Sequence, residues 1–345
     1  MQASPLFDGH YQPRMPADLG FYDLSFVEVM VEQVELAQRF SVDAFNFYFY
    51  WFDGKPLLRK PLATFLESKI DFEFCLTWAN EDWKRGWHGG NQDILIRQNY
   101  SSGFEESLFA DLLPYLSDSR YLRLDGMPVL NVYRLQDIPN SQYFVEKLKD
   151  MAQKAGLPGL HVVAVASYGL NDPKLVGADA LMEFPPHGIS PDCLAKEKPG
   201  GLSPTFSGQI FDYTSVVLES YQNPPSTNPT YRGLFPDWDN TARKAGQSHI
   251  VLGSSPEKFR LWLDTLLEWA TNNESPFIFI NAWNEWSEGA HLEPDLKFGT
   301  SYLSQIRAAT ADAQAGKFKT LSQVLDLLGV GPEHATDKNS PVSRW

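Results

Sequence analysis

Two glutamates three residues apart, Glu285 and Glu288, are the side chains of this sequence best suited to acid–base chemistry. They lie within residues 284–289 (NEWSEG), and Trp283 and Trp286 flank the first of them. Because tryptophans exclude water, their surroundings can push the pKa values of two carboxyls apart, so that one acts as base and the other as acid. Paired carboxyls can flank and cleave a glycosidic bond. The alternative is that both are solvated loop carboxylates.

A second cluster of the same residue types occurs at residues 77–83 (TWANEDW). A sugar ring has an apolar C–H face that stacks on flat aromatic rings, and hydroxyls that bond to amides and carboxylates. We therefore predict that this cluster binds substrate through Trp78, Asn80, Glu81 and Trp83. The competing interpretation is that Glu81 and its neighbour Asp82 pair with the basic residues that follow them.

Other candidate binding residues follow other apolar runs. In residues 48–52 (YFYWF), strand alternation places Phe49 and Trp51 on one face and Tyr48 and Tyr50 on the opposite face, and we predict Trp51 as a stacking residue. The remaining candidates for substrate binding are Tyr133, Asp237, Trp283, Asn284, Trp286 and Glu293.

Several motifs of other chemistries are weak or missing. Asp237-Trp238-Asp239 has the Asp-x-Asp spelling of metal-dependent nucleotide-sugar transferases, but so short a pattern is common by chance. His187 and His291 have no partner at zinc-ligand spacing, and the sequence contains neither a Gly-x-Ser-x-Gly elbow nor a Walker-type loop. We predict no metal and no cofactor.

Seven β-rich runs alternate with amphipathic helical segments, which is the pattern of parallel βαβ units. The runs are residues 44–51, 72–78, 128–133, 161–166, 180–184, 231–235 and 277–282. The helical segments are about 25–40, 104–117, 141–155, 256–272 and 301–314. Both acidic clusters directly follow a strand, and in a β/α barrel the active site forms at that end.

The predicted fold is therefore an α/β, (β/α)8 TIM-type barrel. A closed barrel needs eight strands, and residues 5–20 are a loop by their proline and glycine content, so the first N-terminal strand is predicted to be absent. The alternative is a doubly wound open sheet. We expect one catalytic domain over residues 1–330 and a flexible C-terminal tail over 331–345.

The composition indicates which classes of binding partner the chain is suited to. The 43 acidic and 29 basic residues give a formal charge of −14, which disfavours nucleic acid and suits a neutral oligo- or polysaccharide. Two cysteines cannot form a disulfide framework, and residues 1–20 lack the features of a signal peptide. We expect a cytoplasmic protein without membrane insertion; the oligomeric state is open.

The sequence resembles the WbsX-type, glycoside hydrolase family 99-like proteins related to endo-α-mannosidases. The resemblance extends from Pro5 to about Gln314, and its motifs are PLFDGHYQPRMPADLGFYDL (5–24), YFYWFDGK (48–55), CLTWANEDW (75–83), FPDWDNTAR (235–243) and NAWNEWSEGAHLEPD (281–295). Family 99 enzymes have a histidine where this chain has Ser287, so the chain departs from the family 99 motif at this position.

The resemblance implies a retaining mechanism, in which Glu285 deprotonates the sugar 2-hydroxyl and Glu288 protonates the leaving oxygen. The expected function is cleavage of a glycosidic bond in a bacterial surface polysaccharide. One alternative is a glycosyltransferase of lipopolysaccharide or capsule biosynthesis. A third hypothesis, from another class, is an inactive sugar-binding module.

Overall fold

The computed structural model describes residues 3–85, 93–225 and 229–331 of the chain. The tail expected at 331–345 lies outside these ranges apart from Gly331. Within the described ranges, no helix is both long enough and apolar enough to cross a bilayer.

Seven parallel strands form the centre of the molecule, and each corresponds to one of the predicted runs. They are β1 (Ala44–Phe52), β2 (Glu73–Trp78), β3 (Met127–Val132), β4 (His161–Ala166), β5 (Ala180–Glu183), β6 (Thr230–Leu234) and β7 (Ile278–Ile280). They are hydrogen-bonded in chain order from β1 to β7. Because every pair is parallel, the carboxyl ends of all seven strands meet at one edge.

The apolar runs form strands because both faces of the sheet are covered. In β4, Val162, Val163 and Ala164 have no exposed surface, as expected for a central parallel strand. Apolar residues of neighbouring strands lie opposite one another. Leu130 of β3 is opposite Val162 of β4, and Phe45 of β1 is opposite Phe74 of β2.

The barrel is open between β7 and β1. Within the described residues, β7 has no strand on its outer edge, and β1 carries only the short antiparallel strand Lys55–Leu57 at its end. Residues 3–26 contribute no strand to this sheet. A cavity of about 840 Å³ occupies the opening, lined in part by Phe45, Phe279 and Trp283. The α/β architecture agrees with the prediction, and within the described residues the sheet does not close by hydrogen bonds into a full barrel.

An α-helix lies in each connection between neighbouring strands except the one from β4 to β5, which holds only the 3₁₀ turn Pro173–Val176. The helices are α1 (Val27–Arg39), α2 (Arg59–Glu67), α3 (Phe104–Leu116), α4 (Ser141–Lys154), α5 (Tyr213–Gln222), α6 (Thr241–Lys244), α7 (Pro256–Asn272), α8 (Ser301–Gln314) and α9 (Leu321–Leu328). All five predicted helices are present, and α2, α5, α6 and α9 are additional. At the start of α7, Pro256 takes the first turn and Ser255 Oγ accepts a hydrogen bond from the Lys258 amide, as its sequence indicates.

Smaller strands build the rim above the sheet. Gln209–Asp212, His249–Leu252 and Trp238–Asp239 form one sheet, Asn284–Glu285 pairs with Ala290–His291, and Trp83–Lys84 pairs with Ile94–Ile96. At the opposite end of the sheet, Arg123–Leu124 pairs antiparallel with the first residues of β3.

Candidate active site

A cavity of about 930 Å³ lies at the carboxyl ends of the strands. Five of the predicted site residues line it, namely Asn80, Glu81, Tyr133, Glu285 and Glu288. They come from the segments after β2, β3 and β7, which are far apart in the sequence. The parallel sheet brings them to one rim, as the strand-end argument requires.

The two glutamates occupy a short hairpin after β7. Glu285 ends the strand Asn284–Glu285, and Glu288 ends the 3₁₀ turn Trp286–Glu288. Arg243 donates to Oε1 of both, at 3.2 Å to Glu285 and 2.8 Å to Glu288, and Ser287 Oγ donates to the same Glu285 oxygen at 2.9 Å. Because one guanidinium contacts both carboxylates, they lie close together and can act on one bond.

Glu288 has the electrostatics of a general acid. Burial and the neighbouring charge of Glu285 raise its pKa from 4.5 to about 7, against the opposing effect of Arg243 and Lys244. A carboxyl with a pKa near neutrality can hold a proton and release it under the same conditions.

Another part of the cavity wall is aromatic and polar. Tyr133 Oη lies 3.1 Å from His187 Nε2, and the guanidinium of Arg134 stacks 3.8 Å from the centre of the Tyr168 ring. Burial, followed by the positive charge of Arg134, lowers the pKa of His187, so its imidazole is neutral at neutral pH. Such a wall offers flat faces and hydrogen-bonding groups of the kind that sugar rings use.

Asn80 and Glu81 lie next to this wall in different roles. Asn80 Oδ1 accepts from the Arg134 amide at 2.7 Å, and its Nδ2 donates to the Arg134 carbonyl at 3.0 Å, so Asn80 joins the ends of β2 and β3. Burial raises the pKa of Glu81, which lines the cavity.

The aromatic face of β1 is the reverse of the predicted one. Tyr48 and Tyr50 line the cavity, whereas Trp51 is fully buried and its Nε1 donates to Asp111 of α3. Trp78 is also fully buried, with its Nε1 donating to the Trp51 carbonyl at 3.1 Å. Both tryptophans belong to the core, and their prediction as stacking residues is corrected.

Two further candidates, Trp286 and Glu293, belong to the glutamate hairpin or the segment after it and do not line the cavity. Trp286 stacks on His291 with 3.9 Å between ring centres, and its Nε1 donates to Glu293 at 2.7 Å. Glu293 is buried and also accepts from Tyr22 and Gln33, so it anchors the hairpin instead of contacting substrate. Burial, followed by the charge of Arg14, lowers the pKa of His291 to about 4, which leaves a neutral ring beneath Trp286.

The three remaining predicted residues near the rim, Trp283, Asn284 and Trp83, contact other side chains of the protein. Trp283 packs 5.0 Å from Phe45 and lines the opening between β7 and β1. Asn284 Nδ2 donates to Tyr22 Oη at 3.0 Å. The Trp83 ring packs edge to face against the Tyr50 ring, with 5.3 Å between ring centres, and Tyr50 lines the cavity.

The Asp-x-Asp carboxylates are already bound by side chains of the N-terminal segment. Arg14 contacts Asp237 at 2.6 Å, and Asp239 is 2.7 Å from both His10 Nε2 and Gln12 Nε2. Burial acts to raise the pKa of Asp239, but the hydrogen bond with His10 and the charge of Arg14 outweigh it and lower the pKa. Asp237 does not line the cavity, and its predicted role in binding substrate stays a prediction; the contacts of both carboxylates argue against a metal-binding role.

Sequence reasoning did not select several cavity residues. They are Tyr48, Tyr50, Tyr100, Arg134, Tyr168, His187, Phe211, Trp238, Asn240, Arg243 and Lys244. Arg134 and His187 each follow a predicted strand, so a wider search of strand ends would have found them. Arg243 ends the motif FPDWDNTAR (235–243), which contributes to the family resemblance, but it lies in a four-residue helix distant in sequence from both glutamates, so the strand-end pattern did not select it.

Comparison with known proteins agrees with this architecture. A family model described as Glycosyltransferase WbsX matches residues 1–306. The uncharacterized protein WxcX of Xanthomonas campestris pv. campestris strain B100 is 39% identical over 314 residues, which is 90% of this chain and 45% of the relative. WxcX of a second strain, ATCC 33913, is 38% identical over the same lengths. The chain thus spans about half the length of the curated relatives it matches.

Solved structures extend the comparison to the fold. A glycoside hydrolase-like protein superposes with a TM-score of 0.58 at 14% identity, covering 86% of this chain and 89% of that one. The GH99 endo-alpha-mannosidase of Bacteroides thetaiotaomicron superposes with a TM-score of 0.55 at 13% identity, covering 90% and 91%. At this identity the likeness describes the fold alone, which is the α/β, TIM-barrel type of these proteins.

Proposed function

This chain belongs to the WbsX glycosyltransferase family, and we propose that it is a carbohydrate-active enzyme that cleaves a glycosidic bond within a polysaccharide. The observation that carries the proposal is the pair of glutamates at the strand-end cavity, one of which, Glu288, has a pKa of about 7. A general acid is most effective when its pKa is close to the working pH.

In the proposed reaction, Glu285 removes the proton of the sugar 2-hydroxyl. The 2-oxygen attacks the anomeric carbon, the bond to the leaving oxygen breaks, and Glu288 gives its proton to that oxygen. Water then opens the anhydro sugar, with the two carboxyls exchanging roles, so the anomeric configuration is retained. The scheme follows the family resemblance, and the shared contact with Arg243 supports it by placing both carboxyls beside one bond.

We further propose that tyrosines and a glutamate that line the cavity bind the sugar. Tyr48, Tyr50 and Tyr133 offer ring faces, and Glu81 lies beside them. These groups surround about 930 Å³, which is enough for several sugar units.

Glycosyl transfer is the alternative that the family name suggests. A metal-dependent transferase using Asp237 and Asp239 is disfavoured, because both carboxylates are bound by Arg14, His10 and Gln12. We therefore place hydrolysis or transglycosylation ahead of transfer from a nucleotide sugar.

The test is to incubate the protein with α-mannan and with a rhamnose-containing polysaccharide, and separately with GDP-mannose and dTDP-rhamnose, while recording products by proton NMR. Oligosaccharides released with retained anomeric configuration would support the proposal. The variants Glu285→Gln and Glu288→Gln are the matched controls and should lose this activity. Release of the nucleoside diphosphate, GDP or dTDP, with transfer of the sugar and without hydrolysis of the polysaccharides would overturn it.

A further inference from the structure

Arg243 is the one side chain seen to contact both glutamates of the candidate site within the described residues. Its Nη1 lies 2.8 Å from Glu288 Oε1, and its Nη2 lies 3.2 Å from Glu285 Oε1. Ser287 uses the same Glu285 oxygen. These contacts engage Oε1 of each glutamate, and within the described residues neither Oε2 atom has a hydrogen-bond partner.

The helix that carries Arg243 is fixed to the glutamate hairpin from below. Arg14 Nη1 donates to Asp237 at 2.6 Å and to the Gly289 carbonyl at 3.3 Å, so it joins the segment before α6 to the residue after Glu288. The side chains of Arg14 and Asp237 are 7% and 11% exposed, which makes this connection a buried one. The segment that leads into α6 is therefore tied to the glutamate hairpin, so the backbone of Arg243 is held close to the two glutamates.

We infer that Arg243 is a positioning residue of this site, which holds Glu285 and Glu288 as one pair with their second oxygens available to the same glycosidic bond. The inference rests on the proposed function. A planar guanidinium can donate to two carboxylates at once in a fixed geometry, whereas the single ammonium of lysine cannot hold both in this way.

The charges around Glu288 give the inference a measurable consequence. Burial and Glu285 raise the pKa of Glu288 to about 7, while Arg243 and Lys244 act in the opposite direction. Tyr48 and Tyr50 also face the pair, and their neutral hydroxyls add no charge at neutral pH. Removing Arg243 should therefore raise the pKa of Glu288 further, and the alkaline limb of a rate profile should move to higher pH.

The experiment compares Arg243→Met, Arg243→Lys and Lys244→Met with the wild type. The carbon-13 signal of the Glu288 carboxyl, assigned by its absence from Glu288→Gln, is titrated in each, and kcat on α-mannan is recorded against pH. For Arg243→Met we expect a midpoint about one pH unit higher and kcat about 100-fold lower. For Arg243→Lys we expect a midpoint near that of the wild type but kcat still about 10-fold lower, because the charge remains and the bridge is lost.

Lys244→Met separates positioning from simple charge, since Lys244 acts on Glu288 without a hydrogen bond to either glutamate in the described structure. It should raise the midpoint less than Arg243→Met does. Full kcat in Arg243→Lys, or the same changes in Lys244→Met as in Arg243→Met, would overturn the inference. If Arg243→Met does not fold, Arg243→Lys still decides it.

The titration also separates this inference from the proposed function. A wild type that leaves α-mannan and the rhamnose-containing polysaccharide intact would contradict the proposed hydrolysis. In that case a raised Glu288 midpoint in Arg243→Met, larger than in Lys244→Met, would still support the bridge, and an unchanged midpoint would overturn it.

Discussion

At the scale of single residues, Glu288 links the stability of the protein to its chemistry. Its side chain is 20% exposed, and its pKa rises from 4.5 to about 7 on folding. The carboxyl therefore favours the folded state most at pH values below 4.5, and this contribution is lost as the pH rises through about 7. Above that pH the folded protein holds a poorly solvated charge.

Glu288→Gln should accordingly stabilise the protein at alkaline pH while abolishing activity. At about pH 8 we expect a free energy of unfolding about 2 kcal/mol higher than in the wild type, with no difference at about pH 4, where Glu288 is protonated. Urea denaturation at both pH values measures this. Glu32→Gln, at an exposed position on α1, is the control and should show no pH-dependent change. A variant less stable than wild type at pH 8 would contradict the assigned pKa shift.

Gly289 is the second residue whose identity the site requires. It has a φ of +67°, and a Cβ at this position would lie 2.9 Å from Arg14 Nε and 3.0 Å from the Asp239 amide nitrogen. Neither atom can move away freely, because Arg14 is bound to Asp237 and Asp239 lies in a strand.

We expect Gly289→Ala to lower the free energy of unfolding by about 3 kcal/mol, through backbone strain and displacement of Arg14. Gly316→Ala is a matched control, since Gly316 has a φ of +66° and a Cβ added there would meet no atom within 4 Å. It should cost only about 1 kcal/mol. Equal losses in thermal or urea denaturation would show that the contact with Arg14 is unimportant.

At the scale of elements, the N-terminal segment acts as a clamp on the rim. His10, Gln12 and Arg14 bind the Asp237–Asp239 segment, and Tyr22 binds Glu293 beyond the glutamate hairpin. Breaking a buried ion pair leaves an uncompensated charge, which costs more than losing an exposed pair.

Arg14→Met should therefore lower the free energy of unfolding by about 3 kcal/mol. Lys154→Met removes an exposed pair with Asp150, whose side chains are 74% and 54% exposed, and should cost no more than about 0.5 kcal/mol. Urea denaturation compares the two. Similar small losses in both would indicate that the clamp does not stabilise the rim.

At the scale of the whole molecule, the opening between β7 and β1 leaves the strands of the sheet unequally paired and unequally buried. The core of β4 is fully buried and paired on both sides, whereas Ile278, Phe279 and Ile280 of β7 are half-buried and pair only with β6 in the described structure. Strands with fewer buried contacts open locally at a lower free energy.

Hydrogen exchange followed by mass spectrometry should show this difference. We expect the amides of β4 to exchange at least roughly 100-fold more slowly than those of β7. The amides of β3 serve as the internal control, because β3 is also paired on both sides and should match β4. Equal protection of β4 and β7 would contradict the open arrangement.

The sequence determined the elements and the rim that carries the candidate site. Seven apolar runs became the seven parallel strands, the amphipathic spacing located five helices, and the acidic clusters after β2 and β7 reached one cavity. These features are local, because they depend on periodicity, capping and the common direction of parallel strands.

Only the tertiary structure decided which side chains meet there. Alternation along β1 separated Tyr48 and Tyr50 from Trp51 but could not show which set faces the cavity, since that depends on what packs behind the strand. The contacts of Arg243 with Glu285 and Glu288, and of Arg14 with Asp237, join residues more than 40 and more than 200 positions apart. Long-range pairs of this kind follow from the packing of the whole chain, and no local pattern encodes them.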